Sequence, residues 1–120
     1  MVFVINSVVL VGRLTRDPEL KYTPNGKPYC SFTVAVDRPF TDENGERETD
    51  FIRVVSWNKT AENMKNYLIK GSLVGVTGRI QVRSYEKDDR TVWMTEVVAS
   101  RVDFLDYRKN EENKGEEVTK

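Results

Sequence analysis

The sequence predicts an all-β domain: a five-stranded barrel with one helix between its third and fourth strands. Residues 1–106 form this domain and residues 107–120 a disordered, charged tail. Three observations carry the prediction. Five stretches either alternate apolar and polar residues at the two-residue period of a strand or run apolar on both faces. A single stretch, around residues 58–70, spaces its apolar residues three and four apart. The last residues are charged and nearly free of apolar side chains, so they cannot offset the entropy of ordering.

The first strand is expected over residues 4–14, where Val8, Val9, Leu10 and Val11 are apolar on both faces. Such a run calls for cover on both sides, from sheet packing or from another subunit. Asp17-Pro18 and Pro24-Asn25-Gly26 then mark a long, turn-rich connection. The second strand, residues 29–38, places Cys30, Phe32, Val34 and Val36 on one face. A charged hairpin loop follows over residues 41–48, with Asn44-Gly45 as its turn. The third strand is residues 51–57. In the helix, Ala61, Met64 and Leu68 share a face and plug the core; Asn58 or Thr60 caps its start, and Gly71 ends it. The fourth strand covers residues 73–82 and the fifth 91–105, separated by a second charged loop over 83–90.

The composition sets limits on function. Nineteen basic residues balance nineteen acidic ones, so the chain lacks the basic surplus common in nucleic-acid binders. Binding depends on where charges sit, not on their sum. Without histidine, and with Cys30 as the one cysteine, no structural zinc site, metal or other cofactor is expected. Cys30 falls in an apolar alternation and reads as a small core residue. No apolar run reaches membrane-spanning length and no secretion signal is legible, so a cytoplasmic protein is expected. Asp17, Glu19, Asp88 and Asp89 read as solvated turn residues, and with no nucleophile motif the chain is not expected to be an enzyme.

The third strand is unusual. One face carries Ile52, Val54 and Ser56, as a core face should. The other carries Phe51, Arg53, Val55 and Trp57. Aromatic planes beside a cation form a surface on which unpaired bases stack while the backbone is held electrostatically. A strand buried on both sides is the alternative. Five strands with a helix after the third match the OB-fold, whose second and third strands form the face used for oligonucleotides.

Over nearly all of residues 4–105 the chain resembles the bacterial single-stranded DNA-binding protein family. The resemblance is carried by Asn6-Ser7-Val8-Val9-Leu10-Val11-Gly12-Arg13-Leu14, Asp17-Pro18-Glu19, Tyr22-Thr23-Pro24-Asn25-Gly26, Arg53-Val54-Val55, Tyr67-Leu68 and Thr95-Glu96-Val97-Val98. It implies an OB-fold homotetramer that wraps single-stranded DNA with little sequence preference, during replication, recombination, repair or DNA uptake. It also implies four stacking positions: Phe40 at the edge of the second-third loop, Phe51, Trp57, and Tyr85 in the fourth-fifth loop. For Phe40 and Tyr85 the alternative is a loop aromatic folded back on the barrel. Arg53, Lys59 and Arg83 match basic positions and are expected at phosphates. Lys27 and Lys87 are further basic positions, whereas Ser7 stands where relatives are often basic. Tyr22 is left between a subunit contact and DNA; Trp93 is read as an interface residue, with a core position as the alternative.

Many relatives end in an acidic tip closing in Pro-Phe that recruits replication and repair enzymes. This sequence ends Val118-Thr119-Lys120, so tip-dependent recruitment is not expected if the chain is complete. The competing class is an OB-fold adaptor, or a primosomal-type relative, binding protein or RNA within a larger assembly.

Overall fold

A computed structural model describes residues 3–106; the expected tail lies outside the described residues. The elements are β1 (Val8–Leu14), β2 (Leu20–Tyr22), β3 (Pro28–Thr41), β4 (Arg47–Trp57), α1 (Asn58–Tyr67), β5 (Leu73–Lys87) and β6 (Arg90–Phe104). The strands follow the order β1-β5-β6-β4-β3-β2, and β1 also pairs with β3. That last pairing closes β1, β5, β6, β4 and β3 into a ring, the expected five-stranded barrel. Its closing seam is short, with Arg13 opposite Ala35 and Leu14 opposite Val34. The β4–β6 pair is parallel, at Val54↔Val97 and Val55↔Val98.

Two glycines allow the barrel to close. A Cβ on Gly12 would collide with the Ala35 carbonyl and the Val34 side chain at the β1–β3 seam. One on Gly78 would collide with the Val98 carbonyl, where the β5–β6 register shifts. Both are places where two backbones approach too closely for any side chain.

Alternation fills the interior as the pattern predicts. Cys30, Phe32 and Val34 from β3, Val54 from β4, Val74 and Val76 from β5, and Val97 from β6 are buried together. Ala61, Met64 and Leu68 cover one end of this core. Burial pushes the Cys30 thiol up to about 11, so it stays neutral at physiological pH.

The boundaries differ from expectation in instructive ways. The first strand begins at Val8, and a short strand, β2, lies in the connection expected to be all turn, pairing Leu20 with Cys30 and Tyr22 with Pro28. Neither expected residue caps the helix. β4 runs into α1 without a linker, so Trp57 takes the cap position with no side-chain hydrogen bond. The chain turns the corner at Asn58, with φ 54, a conformation that asparagine tolerates better than most residues. Gly71 does not end the helix: Leu68 does, in extended conformation. Gly71, with φ 88, shapes the turn into β5 and donates its N–H to Leu14 O at 2.9 Å.

The second charged "loop" is mostly strand, and the first is shorter than expected. The ladder from β5 to β6 continues through Arg83↔Met94 and Tyr85↔Val92 to Lys87↔Arg90. Only Asp88 and Asp89 form the turn, at φ 51 and 64, the double left-handed pattern of a type I′ hairpin. β3 and β4 also run further than expected: pairing stops after Asp37↔Thr49 and resumes at Thr41↔Arg47, so the loop proper is residues 42–46. Gly45, at φ 80, supplies the expected turn, and Asp42 Oδ1 accepts the Asn44 and Glu46 N–H groups at 2.9 Å each. Charged side chains disguise these segments because both faces of a projecting arm meet water.

Candidate nucleic-acid interface

The outward face of β3 and β4 is a ladder of paired side chains. Trp57 lies opposite Tyr29, Val55 opposite Ser31, Arg53 opposite Thr33, and Phe51 opposite Ala35. Residues directly opposite in a sheet share a face. The partners of Phe51 and Arg53 are small, so nothing covers the ring or the guanidinium from the neighbouring strand. Phe51 is 68% exposed. Toward the other end the face tightens: Val55 is buried, and Trp57 is half-buried against Tyr29 with ring centroids 5.3 Å apart at 35°. The strand is therefore covered on both sides only over Val54, Val55 and Ser56, which answers the alternative left by the sequence.

Two open grooves flank this ridge and share Ser31 and Arg53 as a common wall. One, of about 390 Å³, includes Phe51, Arg16 and Asp17. The other, of about 330 Å³, includes Trp57, Tyr29, Tyr22 and Arg83. Asp17 also braces the first connection against the helix end, its Oδ1 accepting the Lys70 N–H at 2.7 Å.

Arg53 and Arg83 come from different strands and meet over one carboxylate. Arg83 Nε donates to Glu96 Oε2 at 3.0 Å, and Arg53 Nε donates to Glu96 Oε1 at 3.4 Å. Both arginine side chains are about half exposed, whereas that of Glu96 is 4% exposed.

The structure thus brings Phe51, Arg53, Trp57 and Arg83 together around the two grooves. Phe40, Lys59 and Tyr85 are not among the groove residues. Lys59 is exposed on the first turn of α1, two residues beyond Trp57. Phe40 and Tyr85 sit on strands and not in loops, and both are exposed, so neither folds back on the barrel. Phe40 lies within the irregularity between Asp37 and Thr41 in the β3–β4 pairing. Below it, Arg38 binds Asp50 through Nη2 at 2.9 Å and Glu48 through Nη1 at 3.1 Å. Hydrogen bonding from Arg38 holds the Asp50 carboxyl below the usual carboxylate range.

Sequence reasoning left out Tyr29, Ser31 and Glu96. Tyr29 and Ser31 were open to the same period-two logic that placed Cys30 and Phe32 inward. Glu96 carried no such signal: period two sets it on the face away from Val97, where an acid reads as solvated. Trp93 is 69% exposed, which rules out a core position in the single chain.

A closed five-stranded barrel with a helix at one end and an aromatic, arginine-bearing face on its middle strands defines a protein of the OB-fold class. Residues 5–105 match the model of the single-strand binding protein family, and the chain belongs to that family. A protein of Halalkalibacterium halodurans named "Single-stranded DNA-binding protein" is 58% identical over 115 residues, covering 95% of this chain and 68% of its own length. A Staphylococcus aureus protein named "Single-stranded DNA-binding protein 2" is 60% identical, covering 88% of this chain and 77% of its own. The chain spans about two thirds of the length of such relatives, 64% for one from Oceanobacillus iheyensis. Among solved structures, a Plasmodium falciparum single-strand binding protein in complex with single-stranded DNA superposes with a TM-score of 0.77 at 25% identity, covering 88% of this chain and 99% of that one.

Proposed function

We propose that this protein binds single-stranded DNA, with little sequence preference and without catalysing a reaction on it, through the β3–β4 face and the two grooves beside it. The observation that carries the reading is Phe51: a large ring, 68% exposed, on a sheet surface, in a groove that Arg53 separates from a second one lined by Trp57 and Arg83. Stacking on such rings is sequence-tolerant because every base has a π-face, and arginines add backbone affinity without sequence information. Phe40, Tyr85 and Lys59 extend the same path beyond the grooves. Relatives with the same binding in their names support this reading.

The binding domain is residues 1–106, and it works as a homotetramer in the bacterial cytoplasm, coating DNA exposed by replication, recombination or repair. β1 supports the assembly. Val9 and Val11 are exposed on its outward face, and its pairing with β3 begins only at Arg13.

The test is competition. Unlabelled oligo-deoxythymidine should displace a labelled strand, and a duplex of equal length should not, because stacking requires free bases. Equal competition by the duplex would overturn the reading.

A further inference from the structure

Glu96 is the one buried carboxylate among the described residues, and it lies directly beneath the proposed DNA-binding face. A buried anion there opposes the attraction of phosphates, so its place needs a reason beyond charge. The geometry supplies one. Its two oxygens are divided between two arginines, and each arginine is held by Nε. A guanidinium is a rigid planar fork with five N–H donors, so fixing Nε fixes where the terminal nitrogens lie. The arginines arrive from β4 and β5, and Glu96 is the shared contact that sets one relative to the other. Arg83 is steadied further by Met94, with Nη2 3.8 Å from Sδ.

We infer that Glu96 is a positioning residue for DNA binding: it pins Arg53 and Arg83 by Nε, leaving their remaining terminal N–H groups to take phosphates of a strand lying in the Trp57 groove. The inference rests on the single-stranded DNA reading above. Lysine cannot replace either arginine here, because one ammonium cannot offer separate, fixed edges to a carboxylate and a phosphate. Glutamine cannot replace Glu96, because its amide N–H₂ would face one of the Nε donors, and only one arginine would stay held.

The experiment titrates the full chain with labelled oligo-deoxythymidine over a range of salt concentrations, comparing wild type with Glu96→Gln, Arg53→Lys and Arg83→Lys. Each variant should bind about ten-fold more weakly, the scale of one missing charge-assisted hydrogen bond. Glu96→Gln removes a negative charge, yet its plot of log affinity against log salt should flatten, by about 0.7 for each phosphate that is no longer neutralised. Added to the Arg53→Lys/Arg83→Lys double variant, it should cost almost nothing more. Tighter binding with a steeper salt slope in Glu96→Gln would make Glu96 a mere charge offset and overturn the inference. So would lysine variants that bind like wild type. The arginines reach water, so Glu96→Gln should fold, as a melting curve would show; should it not, the lysine variants decide the matter. Wild type failing to bind the oligonucleotide would overturn the DNA reading itself, whereas wild-type binding with unchanged variants would overturn only the role of Glu96.

Discussion

At the scale of single residues, the face is built from contrasts between neighbours. Phe51 stands opposite Ala35 and stays open; Trp57 stands opposite Tyr29 and is half covered. The two rings should therefore respond differently to truncation. Trp57→Ala and Phe51→Ala should each weaken binding to oligo-deoxythymidine by ~1–3 kcal/mol, the range for one base–aromatic stack. Phe51→Ala should leave the melting temperature unchanged, because the ring makes little contact in the free protein. Trp57→Ala should lower it modestly by uncovering Tyr29. Titration and thermal melts of the same samples check both; full affinity in Trp57→Ala would make that ring a packing residue. The period-two pattern is enough to place Phe51, Arg53 and Trp57 on one face. It is not enough to reveal Glu96, because burial of an outward-facing acid depends on two arginines from other strands.

At the scale of elements, the hairpin arms show how charge conceals a strand. Arg83-Ser84-Tyr85-Glu86-Lys87 reads as loop from composition, yet every residue has a cross-strand partner on β6. An arm that projects from the barrel has water on both faces, so the alternation that marks a half-buried strand is missing. The real turn is the pair Asp88-Asp89, both in the left-handed region. Glycine adopts that region without the steric cost borne by aspartate. Asp89→Gly should thus stabilise the protein by up to about 1 kcal/mol, raising the urea midpoint at unchanged m-value. A lowered midpoint would mean that the aspartate side chain supports the turn in a way its backbone angles do not show. For the helix, spacing alone identifies the buried face, Ala61, Met64 and Leu68, and misplaces both ends. Its face follows from periodicity, whereas its ends follow from what the chain must do next: leave a strand directly at one end and return to the barrel at the other.

At the scale of the whole molecule, the ring of strands leaves β1 unusual. Five strands close the barrel, but β1 contributes only Arg13 and Leu14 to its seam with β3. Upstream, Val9 is 71% exposed and Val11 more than half exposed. A run that is apolar on both faces yet uncovered on one is the mark of a subunit contact. Sedimentation equilibrium at micromolar concentration should give a tetrameric mass, and Val9→Lys/Val11→Lys should reduce it while preserving the circular dichroism spectrum. A monomeric wild type would overturn the assembly and leave the barrel intact.

The sequence by itself determined the barrel, the strand-to-helix order, the inward set around Cys30, Phe32 and Val34, and the aromatic character of β4. These follow from short-range periodicity, which local side-chain chemistry writes directly into the chain. Only the tertiary structure decided which residues meet. It joined Arg53 and Arg83 over Glu96, set Tyr29 against Trp57, divided the face into two grooves, and turned the charged loop over 83–90 into a paired arm. The physical reason is distance along the chain. Arg53 and Glu96 are 43 positions apart, and only the parallel β4–β6 pairing brings them together. No local pattern encodes that register; it is settled when the barrel closes on its core.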